Sequence, residues 1–104
     1  MTLLYIPCPD QTTAETISRT LLEEKRIGCA NIIPGMTSMY WWEGKIETSS
    51  EYILILKTSE SSDALNSLEK RILELHPYDI PCVMRLPVAA INDSYKKWLE
   101  ESQS

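Results

Sequence analysis

The chain is short of the residues that most chemical sites require. Its 104 residues include one histidine and three cysteines, and no C-x-x-C pair. A tetrahedral zinc site takes four Cys or His ligands at short, paired spacings, so one copy of the chain does not easily supply it. With three glycines and six prolines it is not a low-complexity linker, and 43% hydrophobic residues are too many for intrinsic disorder. No apolar run is longer than a handful of residues, which excludes a membrane-spanning helix and predicts no membrane insertion. Met1 to Ile6 lack the charged and long apolar regions of a secretory signal. The expectation is therefore a cytoplasmic protein with reduced thiols. Positive charge is scarce as well: ten Lys and Arg stand against fifteen Asp and Glu, for a net charge of −5. The only basic doublets are Lys25-Arg26, Lys70-Arg71 and Lys96-Lys97. Phosphate backbones demand clustered cations, so nucleic acid is not an expected partner.

What is present spells one domain over residues 1–104. Thr2 to Ile6 is a short β-prone run closed by Pro7-Cys8-Pro9. Thr12-x-x-Glu15 fits a capping box. Ala14, Ile17, Leu21 and Leu22 then recur at helical spacing to about Lys25, and Gly28 is the expected stop. Cys29 to Ile33 reads as a second strand broken by Pro34-Gly35. A hairpin follows, with arms Ser38 to Trp42 and Lys45 to Lys57 around a tight Glu43-Gly44 turn. Ser61, Ser62 or Asp63 can cap a second helix with Leu65, Leu68, Ile72 and Leu75 inward, ended by His76-Pro77. Cys82 to Leu86 is the last main strand. Asn92 or Asp93 opens a terminal helix with Tyr95, Trp98 and Leu99 inward. The predicted fold class is α+β: a ferredoxin-like β-α-β-β-α-β sandwich with a long β-hairpin and a C-terminal helix.

Two features predict that one copy is not the working unit. The second hairpin arm, fully extended, spans roughly 43 Å, whereas a compact domain of this length is about 33 Å across. The arm must bend or protrude, and protruding edges find partners. Tyr52-Ile53-Leu54-Ile55-Leu56 and Leu3-Leu4-Tyr5-Ile6 are also apolar on both alternating faces. A two-layer sandwich covers only one face of its sheet with helices, so the other awaits a second subunit.

The string CANIIPGMTSMYWWEGKIE, then Glu51, Lys57-Thr58, His76-Pro77-Tyr78 and Pro81, resembles the CutA divalent-cation-tolerance family nearly end to end. The resemblance implies a tight homotrimer, similar in architecture to the PII signal transducers, and a link to tolerance of copper and other divalent cations. It implies no enzymatic activity and no organic cofactor. Two positions depart from the pattern: Cys82 stands where the family usually has Glu, and Ile91 where it tends to have Gly.

Among candidate residues, Cys29 suits copper or another soft cation as a thiolate, although a cysteine in an apolar strand also serves as a small hydrophobe. His76 could ligate metal through its imidazole or interact with a helix terminus. Cys8, between two prolines, reads as an incidental thiol. Lys57, a cation ending an apolar strand, should snorkel, pair or bind an anion. By resemblance, Tyr40, Trp42, Lys57 and Tyr78, beside His76, line an intersubunit pocket for a small molecule. Asp79 and Glu51 read as ordinary surface carboxylates. No nucleophile elbow, P-loop or H-E-x-x-H occurs. The expected function is non-enzymatic metal-ion tolerance by a homotrimer; the alternative is a PII-like module binding a small anion between subunits.

Overall fold

The computed structural model describes all 104 residues. Strand β1 (Thr2–Cys8) runs into helix α1 (Gln11–Glu23), and the link is capped earlier than the Thr12-Glu15 box predicts. Asp10 is the cap, its Oδ1 accepting the Thr13 N–H at 2.7 Å. Glu15 turns away and accepts from Gln11 Nε2 instead. The bond from Thr13 holds the Asp10 carboxyl below its usual range. Helix α1 also ends before Gly28. Lys25 adopts φ 61°. Its N–H reaches the Leu22 carbonyl at 3.1 Å, and the Arg26 N–H reaches that of Leu21 at 2.9 Å. These two bonds are a Schellman closure with lysine at the position glycine usually takes. Left-handed backbone costs a side-chain-bearing residue about 1 kcal/mol. Lys25→Gly is therefore expected to stabilise the fold by about that amount, read as a higher urea midpoint; a lower one would refute the account.

Strands β2 (Cys29–Trp42) and β3 (Lys45–Thr58) form one hairpin of two 14-residue arms. The expected break at Pro34-Gly35 does not occur. The pair is absorbed as a bulge between Ile33 and Met36, with Gly35 at φ 82°. Proline is tolerated there because β2 lies at the edge of the sheet, where a missing N–H costs no ladder bond. At the tip, Glu43 and Gly44 both have positive φ, the two-residue turn that matches strand twist. Helix α2 (Ser62–Leu75), strand β4 (Met84–Pro87) and helix α3 (Asp93–Ser102) complete the chain. The last strand begins two residues later than expected and leaves Cys82 outside the sheet.

The sheet order is β2-β3-β1-β4 with every pairing antiparallel, the ferredoxin-like arrangement. Leu4, Ile6 and Cys8 of β1 and Leu54 and Leu56 of β3 face Ile17 and Leu21 of α1 and Leu65, Leu68 and Ile72 of α2. Leu22, expected in that stripe, is exposed. Burial, followed by the Asp10 and Glu51 carboxylates, pushes the Cys8 thiol up to about 11. The native state thus holds this proton more tightly than an unfolded chain, whose thiol titrates near 9.0. The resulting stability is complete below pH 9 and is lost as pH rises towards 11. Cys8→Ala should flatten this alkaline limb, measured as urea midpoints from pH 8 to 10.5; an unchanged limb would refute the assignment.

The other face of the sheet has no helical layer. Leu3, Tyr5, Ile53 and Ile55 are only half-buried on it, and Ile33, Met84 and Leu86 are exposed. Helix α3 reaches only one end of this face, where Tyr95 meets Lys57. It contributes one fully buried residue, Leu99, while Trp98, expected inward, is 48% exposed and packs on Tyr95. Its end is pinned by Gln103, which accepts from the Ser59 N–H at 2.8 Å and donates to the Arg26 carbonyl at 3.1 Å. The molecule measures 45 × 25 × 24 Å, longer than a compact domain, because the hairpin protrudes. Its tip exposes Met39, Trp41 and Ile46.

Candidate functional site

A cleft of about 790 Å³ opens between the hairpin and the segment after α2. The loop side is set by His76, which ends α2 with extended backbone and is buried. Its Nδ1 accepts the Tyr78 N–H at 3.2 Å, and its Nε2 lies 2.8 Å from the Pro7 carbonyl. A backbone N–H only donates and a carbonyl only accepts, so the neutral imidazole with its proton on Nε2 satisfies both. The Tyr78 ring packs on the imidazole at 4.7 Å between centroids. Histidine thereby ties the loop to β1 and aims Tyr78 across the cleft.

There the Tyr78 hydroxyl donates to Glu51 Oε2 at 2.8 Å. Burial and this carboxylate push the phenol well above its ordinary range. The Cys82 thiol is raised too, chiefly by burial and then by Glu51. Both groups therefore hold their protons more tightly than they would in solvent. Glu51, read from sequence as a surface carboxylate, is 7% exposed. The available signal was its position, heading the apolar half of β3 directly before Tyr52-Ile53-Leu54. Pro7, Ile80 and Cys82 are further lining residues that sequence reasoning did not select.

The structure brings Tyr40, Trp42 and Tyr78 into the same cleft, and adds Trp41, although successive strand residues point to opposite faces. Lys57 is not among the lining residues. It donates to the Tyr95 hydroxyl at 3.3 Å, with its ammonium 5.2 Å from that ring's centroid. Cys29 is Lys57's register partner on β2 and is half-buried. His76 instead holds Pro7, which pairs with Ile53 four residues along β3, so Cys29 and His76 sit roughly 13 Å apart along the sheet. No group of three or more His, Cys, Asp or Glu side chains is placed to hold a metal ion. Cys29 and His76 therefore do not meet on one ion within a subunit. No helix is long and apolar enough to cross a membrane.

The family model described as CutA1 divalent ion tolerance protein matches residues 2–102. A divalent-cation tolerance protein CutA of Pyrococcus horikoshii is 46% identical over 97% of this chain and 96% of its own length. The chloroplastic protein CutA 1 of Oryza sativa is 38% identical over 96% of this chain, which spans 55% of that longer relative. Among solved structures, the periplasmic divalent cation tolerance protein CutA of Archaeoglobus fulgidus superposes with a TM-score of 0.91 at 33% identity, covering 100% of both chains. Sequence, strand order and the whole-chain superposition agree: this chain belongs to the CutA1 divalent-ion-tolerance family.

Proposed function

We propose that the chain works as a homotrimer in divalent metal-ion tolerance, copper included, and binds ions rather than catalysing a reaction. The observation that carries this reading is the near full-length match to a relative named for cation tolerance. Assembly is supported by the uncovered apolar face and the protruding hairpin, which only a neighbour can bury. It also answers the ligand shortage, since a threefold axis multiplies each donor by three. Cys29 is the proposed soft-metal ligand. His76 is the second, and to ligate it must release either Pro7 or Tyr78. Tyr40, Trp42 and Tyr78 form the subunit's share of a small-molecule pocket, with Lys57 left to its contact with Tyr95. Three free thiols suit the reducing cytoplasm. An anion-binding, PII-like role fits the cleft less well, because its walls carry Glu51 and Asp79 and no Lys or Arg.

Calorimetric titration with Cu(II), Cu(I) and Zn(II), on the native protein and on Cys29→Ser and His76→Ala, tests the metal reading. Affinity should fall in both variants; unchanged affinity in both removes these residues as ligands.

A further inference from the structure

The cleft pairs aromatic rings with carboxylates in a way that ion tolerance does not require. Glu51 is more than nine-tenths buried, yet it takes part in no ion pair. Its Oε2 accepts from Tyr78, while Oε1 makes no hydrogen bond within the chain and opens on the cleft. A buried carboxylate with a single neutral donor is incompletely compensated, and such groups normally face a cation. Asp79 adds a second carboxylate at the rim, and no cationic side chain lines the cavity. Four aromatic rings, those of Tyr40, Trp42, the neighbouring tryptophan and Tyr78, line it beside two prolines, Ile80 and Cys82.

The choice of cation follows from these walls. A hard divalent ion takes six or more oxygen ligands, and the cleft offers two carboxylates. A soft ion needs several sulfur or imidazole ligands, and Cys82 is the one such residue lining the cleft. An ammonium carrying carbon substituents sheds its weak hydration against aromatic faces and keeps an electrostatic partner in the carboxylate. At about 790 Å³ the cavity is within the range of small-molecule sites, roughly 300–1,000 Å³.

We propose that this cleft binds a small organic ammonium ion, held by the rings of Tyr40, Trp42 and Tyr78 with the buried Glu51 carboxylate as counter-ion. The proposal uses the pocket assigned above but stands apart from the metal reading, which rests on Cys29 and His76. Tetramethylammonium chloride is the probe, with tert-butanol as the uncharged molecule of similar shape and sodium chloride as the ionic-strength control. Titrated into the intact protein, tetramethylammonium should give saturable quenching of tryptophan fluorescence, retained in Trp98→Phe because that ring lies on α3. It should also slow alkylation of Cys82, which lines the cleft. Binding of tert-butanol should be at least tenfold weaker, and Glu51→Gln should weaken the ammonium at least tenfold. The comparison of the two probes needs no variant, so a misfolded Glu51→Gln leaves the test intact. Equal curves for the two probes, or quenching that never saturates, would overturn the proposal, whatever calorimetry shows for copper.

Discussion

Gly28→Val is expected to lower the melting temperature of the subunit fold by about 12 °C. Gly28 leaves α1 and enters β2, and its N–H donates to the Lys57 carbonyl at 3.0 Å, so the backbone cannot easily withdraw. A Cβ at this position would overlap Leu99 Cδ1 and stand 3.1 Å from its Cγ. Leu99 is the one fully buried anchor of α3, so it cannot swing away without uncovering itself. Either the leucine is expelled, losing about 2 kcal/mol of burial, or the helix shifts at a comparable overpacking cost of 1–3 kcal/mol. A loss of about 2 kcal/mol corresponds to about 8–16 °C for a domain of this size, or about 12 °C at the centre. Scanning calorimetry reads it directly. The mechanism is checked by a double-mutant cycle with Leu99→Ala, which removes the atoms in the way. The two losses should then sum to visibly more than the loss in the double variant. Strict additivity would mean that the valine acts elsewhere.

Most of the fold was legible because local signals and the global pattern agree. The Leu65-Leu68-Ile72 stripe of α2 and the stop at His76-Pro77 are found where their spacing and steric rules predict. The misreadings have physical causes. Pro34-Gly35 breaks a central strand but only dents an edge strand, and edge position is a tertiary fact. Thr12 fits a capping box yet Asp10 is the cap, because local sequence does not say which residue has extended backbone. Lysine rather than glycine closed α1, and the Arg26 that follows it reaches both Glu60 and the Leu21 carbonyl, contacts that helical spacing does not reveal. The site was harder. Strand pitch alone places Lys57 twelve residues from Lys45, the partner of Trp42, or roughly 40 Å away. Within one subunit, therefore, Lys57 and the hairpin aromatics belong to different ends of the molecule. Glu51 was missed for the opposite reason: its burial comes from the Tyr78 loop folding over it, more than twenty residues later.

The uncovered sheet face carries the other large expected effect. Ile55→Asp should convert the assembled protein to folded monomers. Ile55 lies in β3, an inner strand of the sheet, where it pairs with Asn31 on one side and Tyr5 on the other. It points away from the helices and belongs to no part of the core, so an aspartate there is solvated in the free subunit. In an assembly the same carboxylate would be sealed against apolar neighbours. The cost of an unpaired charge so placed is about 3 kcal/mol per copy. Three copies would weaken a trimer by roughly a million-fold, beyond what micromolar protein tolerates. Analytical ultracentrifugation reads the mass, and far-UV circular dichroism, expected to keep its native shape, separates dissociation from unfolding. Thr16→Asp, on the exposed side of α1, is the matched charge change on the helical side and should leave the mass unaltered. A trimer that survives Ile55→Asp would place the interface elsewhere. The hairpin edge would then be the remaining surface long enough to join subunits, since its β2 arm offers unpaired backbone along an outer strand.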